Sequence, residues 1–509
     1  MRIIFRSTML MIISLVVSAY VFAAVKPHAL FTDGCVLQQG MPVPVWGWAG
    51  DGENVTVELQ GQKVSTVASG GKWMVTLKSL KAGGPFQMTI SGTNTVTLKN
   101  VLVGEVWLCS GQSNMEWRMS QTTNAKEDIA AANYPKIRLF TVPRNPIDTP
   151  QTDVKGDWKE CSPETVASFS AVGYFFGRAL QLARQGVPVG LINSSYGGTP
   201  SEAWTSSGVV AGDPNFSGIR DSYAKALAVW PENKAKYEAA MEKYKQDAAD
   251  AKAAGKPAPA APQRAMGPEH QSRPSGLYNG MIAPLVPYAL RGAIWYQGES
   301  NANRAYEYRS IFPAMIEDWR KAWGSEMTFL FVQLAPYAPP AAGTWPELRE
   351  AQLMSLRLPK TGMAVITDVG EEKDIHPKQK QPVGERLALA ARAITYGEKI
   401  EYSGPIYSGM KIEGSRAVLS FKHVGGGLVA KGDKLTGFTI AGADQKFVPA
   451  DAEIKGDKII VTSAQVAQPV AVRFGWENWP VLNFWNKAGL PATPFRTDDF
   501  PMVTAPRQQ

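Results

Sequence analysis

The chain has 509 residues, 44% hydrophobic and 19% charged, a composition that excludes a wholly disordered or fibrous protein and allows about three domains. Its net charge of +8 is modest for this length and no Lys/Arg block is present, which argues against a nucleic-acid partner. The three cysteines, Cys35, Cys109 and Cys161, permit at most one disulfide and lack metal-ligand spacing.

In chain order, residues 1–24 read as a secretory signal peptide: Arg2 and Arg6 precede an apolar run over 9–22 that ends in Ala23-Ala24, where cleavage is expected. The run is too short for a retained membrane anchor, and no other stretch is long and apolar enough to span. Export to the periplasm or the medium is therefore expected. Residues 25–100 alternate apolar and polar positions over 55–59, 73–77 and 86–90, with Gly70-Gly71 and Gly83-Gly84 between them. This predicts a small antiparallel β-sandwich.

From 101 to 400 the pattern becomes apolar strands followed by helices. Strands are predicted at 136–142, 189–193, 291–295, 328–334 and 363–367, and helices at 172–184, 311–323, 346–356 and 383–396. The succession implies a parallel α/β sheet covered by helices on both faces. An insertion at 208–276 carries Ile219, Tyr223, Trp230, Tyr237, Met241 and Tyr244 among charged residues, then an Ala/Pro stretch over 253–262. It reads as one or two amphipathic helices plus a linker, either a lid or an excursion that packs its aromatic stripe on the sheet. Residues 401–509 return to alternation and predict a second β domain.

The chemistry gathers around 101–117, VLVGEVWLCSGQSNMEW. A buried strand that stops at a sharp turn places Ser113 where open α/β sheets bind ligands, a position suited to a nucleophile and equally to a helix N-cap. Cys109 inside the apolar run reads as a buried structural thiol. An activated serine needs a general base, and the chain has four histidines. His28 lies close to the expected mature terminus, His270 in the polar linker of the insertion and His423 in the terminal β domain. His376, in the loop DVGEEKDIHP after a core strand, is the remaining candidate. Two further strand ends belong to the same edge: NSSYGGT at 193–199, whose glycine pair lets backbone N–H groups approach a ligand, and YQGESN at 296–301, which sets a carboxamide beside a carboxylate.

GQSNM at 111–115, GGT at 197–199, WYQGESN at 295–301 and DIHP at 374–377 together resemble the sialate O-acetylesterase family of the SGNH/GDSL-type hydrolases, as does the closing NKAGLPATPFRTDDF at 486–500. The resemblance implies a flavodoxin-like α/β hydrolase core between N- and C-terminal antiparallel β domains. It implies Ser113 as nucleophile, His376 as base, and the N–H groups of Ser113 and Gly198 as an oxyanion hole, with Gln297 as a further donor. The acid that superfamily members place three residues before the histidine is here Lys373, so Asp374 is the expected orienting acid and Glu299 the alternative. The expected reaction is acyl transfer through an acetyl-enzyme, with no cofactor and no metal. Its substrate would be an O-acetylated sugar, either sialic acid or a plant oligosaccharide such as acetylated xylan. Trp204, Trp295, Trp476, Trp479 and Trp485 suit stacking on sugars, although most fit a core role. A binding protein with a dead hydrolase core would lack Ser113 or His376, and an α/β-hydrolase elbow would carry glycine where Met115 stands.

Overall fold

The computed structural model describes residues 24–339 and 344–506. The predicted signal peptide lies outside them apart from Ala24. At the centre is a sheet in the order Lys159–Cys161, Tyr134–Thr141, Val189–Ser195, Thr95–Gly111, Gly292–Tyr296, Thr328–Val332, Thr361–Ala364. All neighbours are parallel except the short edge strand Lys159–Cys161. Val189–Ser195, Gly292–Tyr296 and Thr328–Val332 are buried throughout, which explains their unbroken apolar character. Trp107 packs edge-on against Phe176 of helix Ala171–Ala183. Trp295, which points to the opposite face, meets Phe312 and Trp319 of helix Ala305–Trp323. Helices therefore cover both faces, as expected.

The expected domain boundary at 100/101 falls inside one 17-residue strand, Thr95–Gly111. Its first half pairs antiparallel with Gly83–Ser91, and its second half lies parallel to Val189–Ser195 and Gly292–Tyr296. The change of pattern read from the sequence marks the point where a strand buried on one face becomes buried on both. The N-terminal β layer, including the antiparallel sheet of Lys26–Pro27, Val43–Trp48 and Lys72–Leu77, shares one continuous hydrophobic core with the α/β layer. The C-terminal β domain has its own core, with Phe438, Phe474, Phe484 and Phe495 packed together. Arg349, fully buried on helix Trp345–Met354, fastens the two by donating to the carbonyls of Glu477 and Asn478 at 2.8 and 2.9 Å.

In the insertion, Ser217–Ala228 and the 24-residue Trp230–Ala253 are helical, as the spacing predicts. The longer helix buries none of its residues. Its stripe of Trp230 and Tyr237 faces the returning segment of Arg264, Ala265 and His270 and does not pack on the sheet. Cys35, Cys109 and Cys161 are all buried free thiols. Among the described residues no helix is long and apolar enough to cross a membrane.

Candidate active site

The central strand ends at Gly111, where a side chain is impossible: a Cβ there would stand 2.2 Å from the Tyr296 carbonyl oxygen, and φ is +139°. Gln112 then takes the N-cap position of the short helix Ser113–Glu116, and its Oε1 accepts from the Ser300 N–H at 3.2 Å. Ser113 is thus a first-turn residue and not the cap, which removes the alternative role open to it. Its own N–H has no partner within the helix.

Ser113 Oγ lies 2.9 Å from His376 Nε2. On the other side of the ring, Nδ1 is 3.5 Å from Asp374 Oδ1, and the same oxygen accepts from the His376 backbone N–H at 2.9 Å. The spacing of two residues is bridged by this turn: the carboxylate folds back over the backbone of the residue it faces. Trp117 stacks on the imidazole at 5.2 Å and 18°. Burial lowers the His376 pKa below the usual histidine value, the cation of Lys380 lowers it further, and Asp374 opposes both. The ring is therefore held neutral near pH 7, the form that accepts a proton.

The other histidines are elsewhere. His28 is enclosed in the N-terminal layer, where its Nδ1 accepts from the Leu30 N–H at 3.1 Å. His270 accepts from the Ser272 N–H in the insertion, and His423 pairs with Glu401 at 2.7 Å.

At the end of Val189–Ser195, Gly198 has φ +70° and an added Cβ there would meet open space. Gly197 sits against Ser113, a Cβ on it lying 3.3 Å from the serine Cβ. Its N–H donates to Glu116 Oε2 at 2.9 Å. Gln297 is placed differently from the expectation. It is fully buried, and both hydrogens of its carboxamide are committed, to Thr199 O at 3.2 Å and Asn301 Oδ1 at 2.6 Å, while its oxygen accepts from Tyr308 Oη. A saturated amide of this kind shapes the glycine turn from behind. Glu299 takes Asn114 Nδ2 as its partner, not His376, and its second oxygen is buried without a hydrogen bond among the described residues. Burial raises its pKa.

Four polar residues at the site were not singled out in the sequence: Asn114, Glu116, Arg144 and Lys380. Arg144 pairs with Glu116 and lies over the Tyr196 ring at 4.5 Å. Asn114 was inside the GQSNM motif, and Lys380 stands three residues beyond DIHP, where a buried cation before a helix is unusual. Of the tryptophans, Trp204 and Trp295 are wholly core and Trp485 nearly so. Trp476 and Trp479 are partly exposed, Trp476 beside the Arg473 and Arg496 guanidinium groups. Among the described residues no group of three or more His, Cys, Asp or Glu side chains is arranged to hold a metal.

The family model described as "Carbohydrate esterase, sialic acid-specific acetylesterase" matches residues 103–255 and 265–393. The sialate O-acetylesterase of Mus musculus is 32% identical over 525 residues, covering 92% of this chain and 93% of its own. That of Homo sapiens is 32% identical over 505 residues, covering 89% of this chain and 88% of its own. The crystal structure of a carbohydrate acetylesterase from Xanthomonas citri superposes with a TM-score of 0.79 at 39% identity, covering 93% of this chain and 100% of that one.

Proposed function

Because the chain belongs to the sialic acid-specific acetylesterase family of carbohydrate esterases, and so hydrolyses carbohydrate O-acetyl esters, we propose that Ser113 and His376 carry out this reaction and that O-acetylated sialic acid is the substrate. The observation that carries the reading is the 2.9 Å approach of Ser113 Oγ to His376 Nε2 at the carboxyl edge of the parallel sheet. In the first half-reaction His376 takes the serine proton as Oγ attacks the acetyl carbonyl. The oxyanion that forms faces the N–H groups of Ser113 and Gly198, donors fixed in place before reaction. As the tetrahedral intermediate collapses, His376 gives that proton to the sugar oxygen whose bond to the acetyl carbon breaks, so the sugar leaves as its hydroxyl. Water, activated by the same imidazole, releases acetate from the acetyl-serine. Asp374 holds the ring through Nδ1 and stabilises the imidazolium that forms in each half.

The Xanthomonas citri relative, more similar in sequence than the mammalian ones, carries the broader description of carbohydrate acetylesterase. This broader description leaves acetylated plant oligosaccharides such as xylan fragments as the second substrate class. Acetate release from O-acetylated sialic acid and from acetylated xylo-oligosaccharides separates the two. A kcat/KM at least tenfold higher on the sialic acid supports the first reading, and the reverse order replaces it with the second.

We also infer export: the basic residues, apolar run and small-residue end of the first 24 positions have the order of a signal peptide. Mass spectrometry of the mature N-terminus checks this, a start at Ala24 or Val25 being expected and an intact Met1 contradicting it.

A further inference from the structure

Lys380 stands at the N-cap position of helix Gln381–Ile394 and is only 1% exposed. This is a costly place for a cation: burial disfavours the charge, and the amino end of a helix carries partial positive charge of its own. The ammonium bonds to a carboxamide oxygen, Asn114 Oδ1, and not to a carboxylate. The rings of Tyr296 and Trp117 lie 5.2 and 5.6 Å from Nζ. Trp117 is also the ring that stacks on His376. The charged groups facing Lys380 are Glu299 from the turn after strand Gly292–Tyr296, and Glu371, Asp374 and His376 from the loop before its own helix. Burial pushes its pKa down to about 7, with Glu299, Glu371 and Asp374 opposing.

The geometry around Asn114 gives the lysine a task. An ammonium can only donate, so it can face only Oδ1 of that carboxamide. With Oδ1 so fixed, Nδ2 must point the other way, and there it donates to the Ile375 carbonyl at 3.0 Å and to Glu299. Asn114 directly follows Ser113, and Ile375 directly precedes His376. One carboxamide thus straps together the two backbone segments that carry the reacting pair. Turned over, it would set Oδ1 against the Ile375 carbonyl and a second donor against the ammonium.

Resting on the reading of Ser113 and His376 as that pair, we propose that Lys380 is a positioning residue of the esterase: by holding the Asn114 carboxamide in one orientation it ties the Ser113 turn to the His376 loop. It acts on His376 in a second way. Below about pH 7, where the imidazole titrates, Lys380 is a cation, and its charge disfavours a second positive charge on the ring.

The test compares Lys380→Met, Lys380→Arg, Asn114→Ala and the double variant Lys380→Met/Asn114→Ala by pH profile on an acetylated sugar. Lys380→Met should lower kcat by on the order of tenfold to 10²-fold, as expected for a slightly misplaced reacting group, with KM changed less than about twofold. The acid limb of kcat/KM should move to higher pH, because the imidazolium has lost a repelling neighbour. A lysine that merely supports the fold would not move this limb. Lys380→Arg, which keeps donor and charge, should keep the wild-type limb. The double variant should be no slower than the slower single one, since both act through one strap. Wild-type kcat and acid limb in Lys380→Met, or additive losses in the double variant, overturn the proposal. If Lys380→Met yields no folded protein, a displaced limb in Lys380→Arg or wild-type kcat in Asn114→Ala overturns it. Ser113→Ala is the control that keeps the two readings apart. An active Ser113→Ala refutes the assignment of the reacting pair, whereas an inactive one beside a fully active Lys380→Met refutes only the role of the lysine.

Discussion

Two histidine–aspartate pairs occupy different layers of this molecule, and they differ in what the second nitrogen meets. His28 Nε2 lies 3.3 Å from Asp153 in the N-terminal β layer, and His376 Nδ1 lies 3.5 Å from Asp374 at the carboxyl edge of the parallel sheet. The free nitrogen of His28 is used up by a backbone N–H, and the ring is closed in between Trp46 and Trp48. The free nitrogen of His376 faces a serine hydroxyl. A histidine beside a carboxylate is therefore no signature of catalysis. What separates the two is an unspent nitrogen aimed at a nucleophile on a strand end.

Removing each ring in turn should give the largest difference between the two pairs. His376→Ala should lose acetyl-ester hydrolysis by on the order of 10³-fold or more while remaining folded, and His28→Leu should keep kcat per folded molecule within about twofold. Comparable losses in the two would dissolve the distinction. Next in size is the orienting acid. Asp374→Asn should lower kcat by less than the about 10⁴-fold of a fully enclosed triad acid, because the contact is loose and the Asp374 side chain is 41% exposed. Its acid limb should move to lower pH, since Asp374 raises the His376 pKa. Glu299→Gln should leave that limb in place, and a shift in Glu299→Gln alone would hand the role to the second carboxylate.

The smallest effect is on stability. Burial pushes the His28 pKa down to about 4 against 6.5 in the unfolded chain, so between these values the unfolded state binds more protons. Stability should accordingly fall as pH drops from about 6.5 to about 4, by on the order of 3 kcal/mol from this ring. Denaturant unfolding of wild type and His28→Leu across that window measures it, and equal slopes in the two would contradict the assignment.

The sequence made the strand ends legible because each couples an apolar run to an abrupt polar turn, and the four histidines were few enough for elimination. Backbone placement follows from such patterns. Side-chain direction does not, which is why Gln297, correctly set at a strand end, was expected to face the substrate and instead saturates its amide behind the glycine turn. The boundary read at 100/101 lies inside a strand for a related reason: burial on one face and burial on two look like different domains, yet Thr95–Gly111 passes through both without a break. Asn114 and Lys380 were hidden because their meaning lies in a contact across 266 positions of chain.

Acetate release by purified Ser113→Ala on O-acetylated sugar, set against wild type at equal folded concentration, decides whether Ser113 is the nucleophile. Ser113 as nucleophile predicts a loss of on the order of 10³-fold or more in kcat with the far-UV spectrum and unfolding midpoint of the wild type. Turnover within a few-fold of wild type would contradict it and move the chemistry away from the end of the central strand.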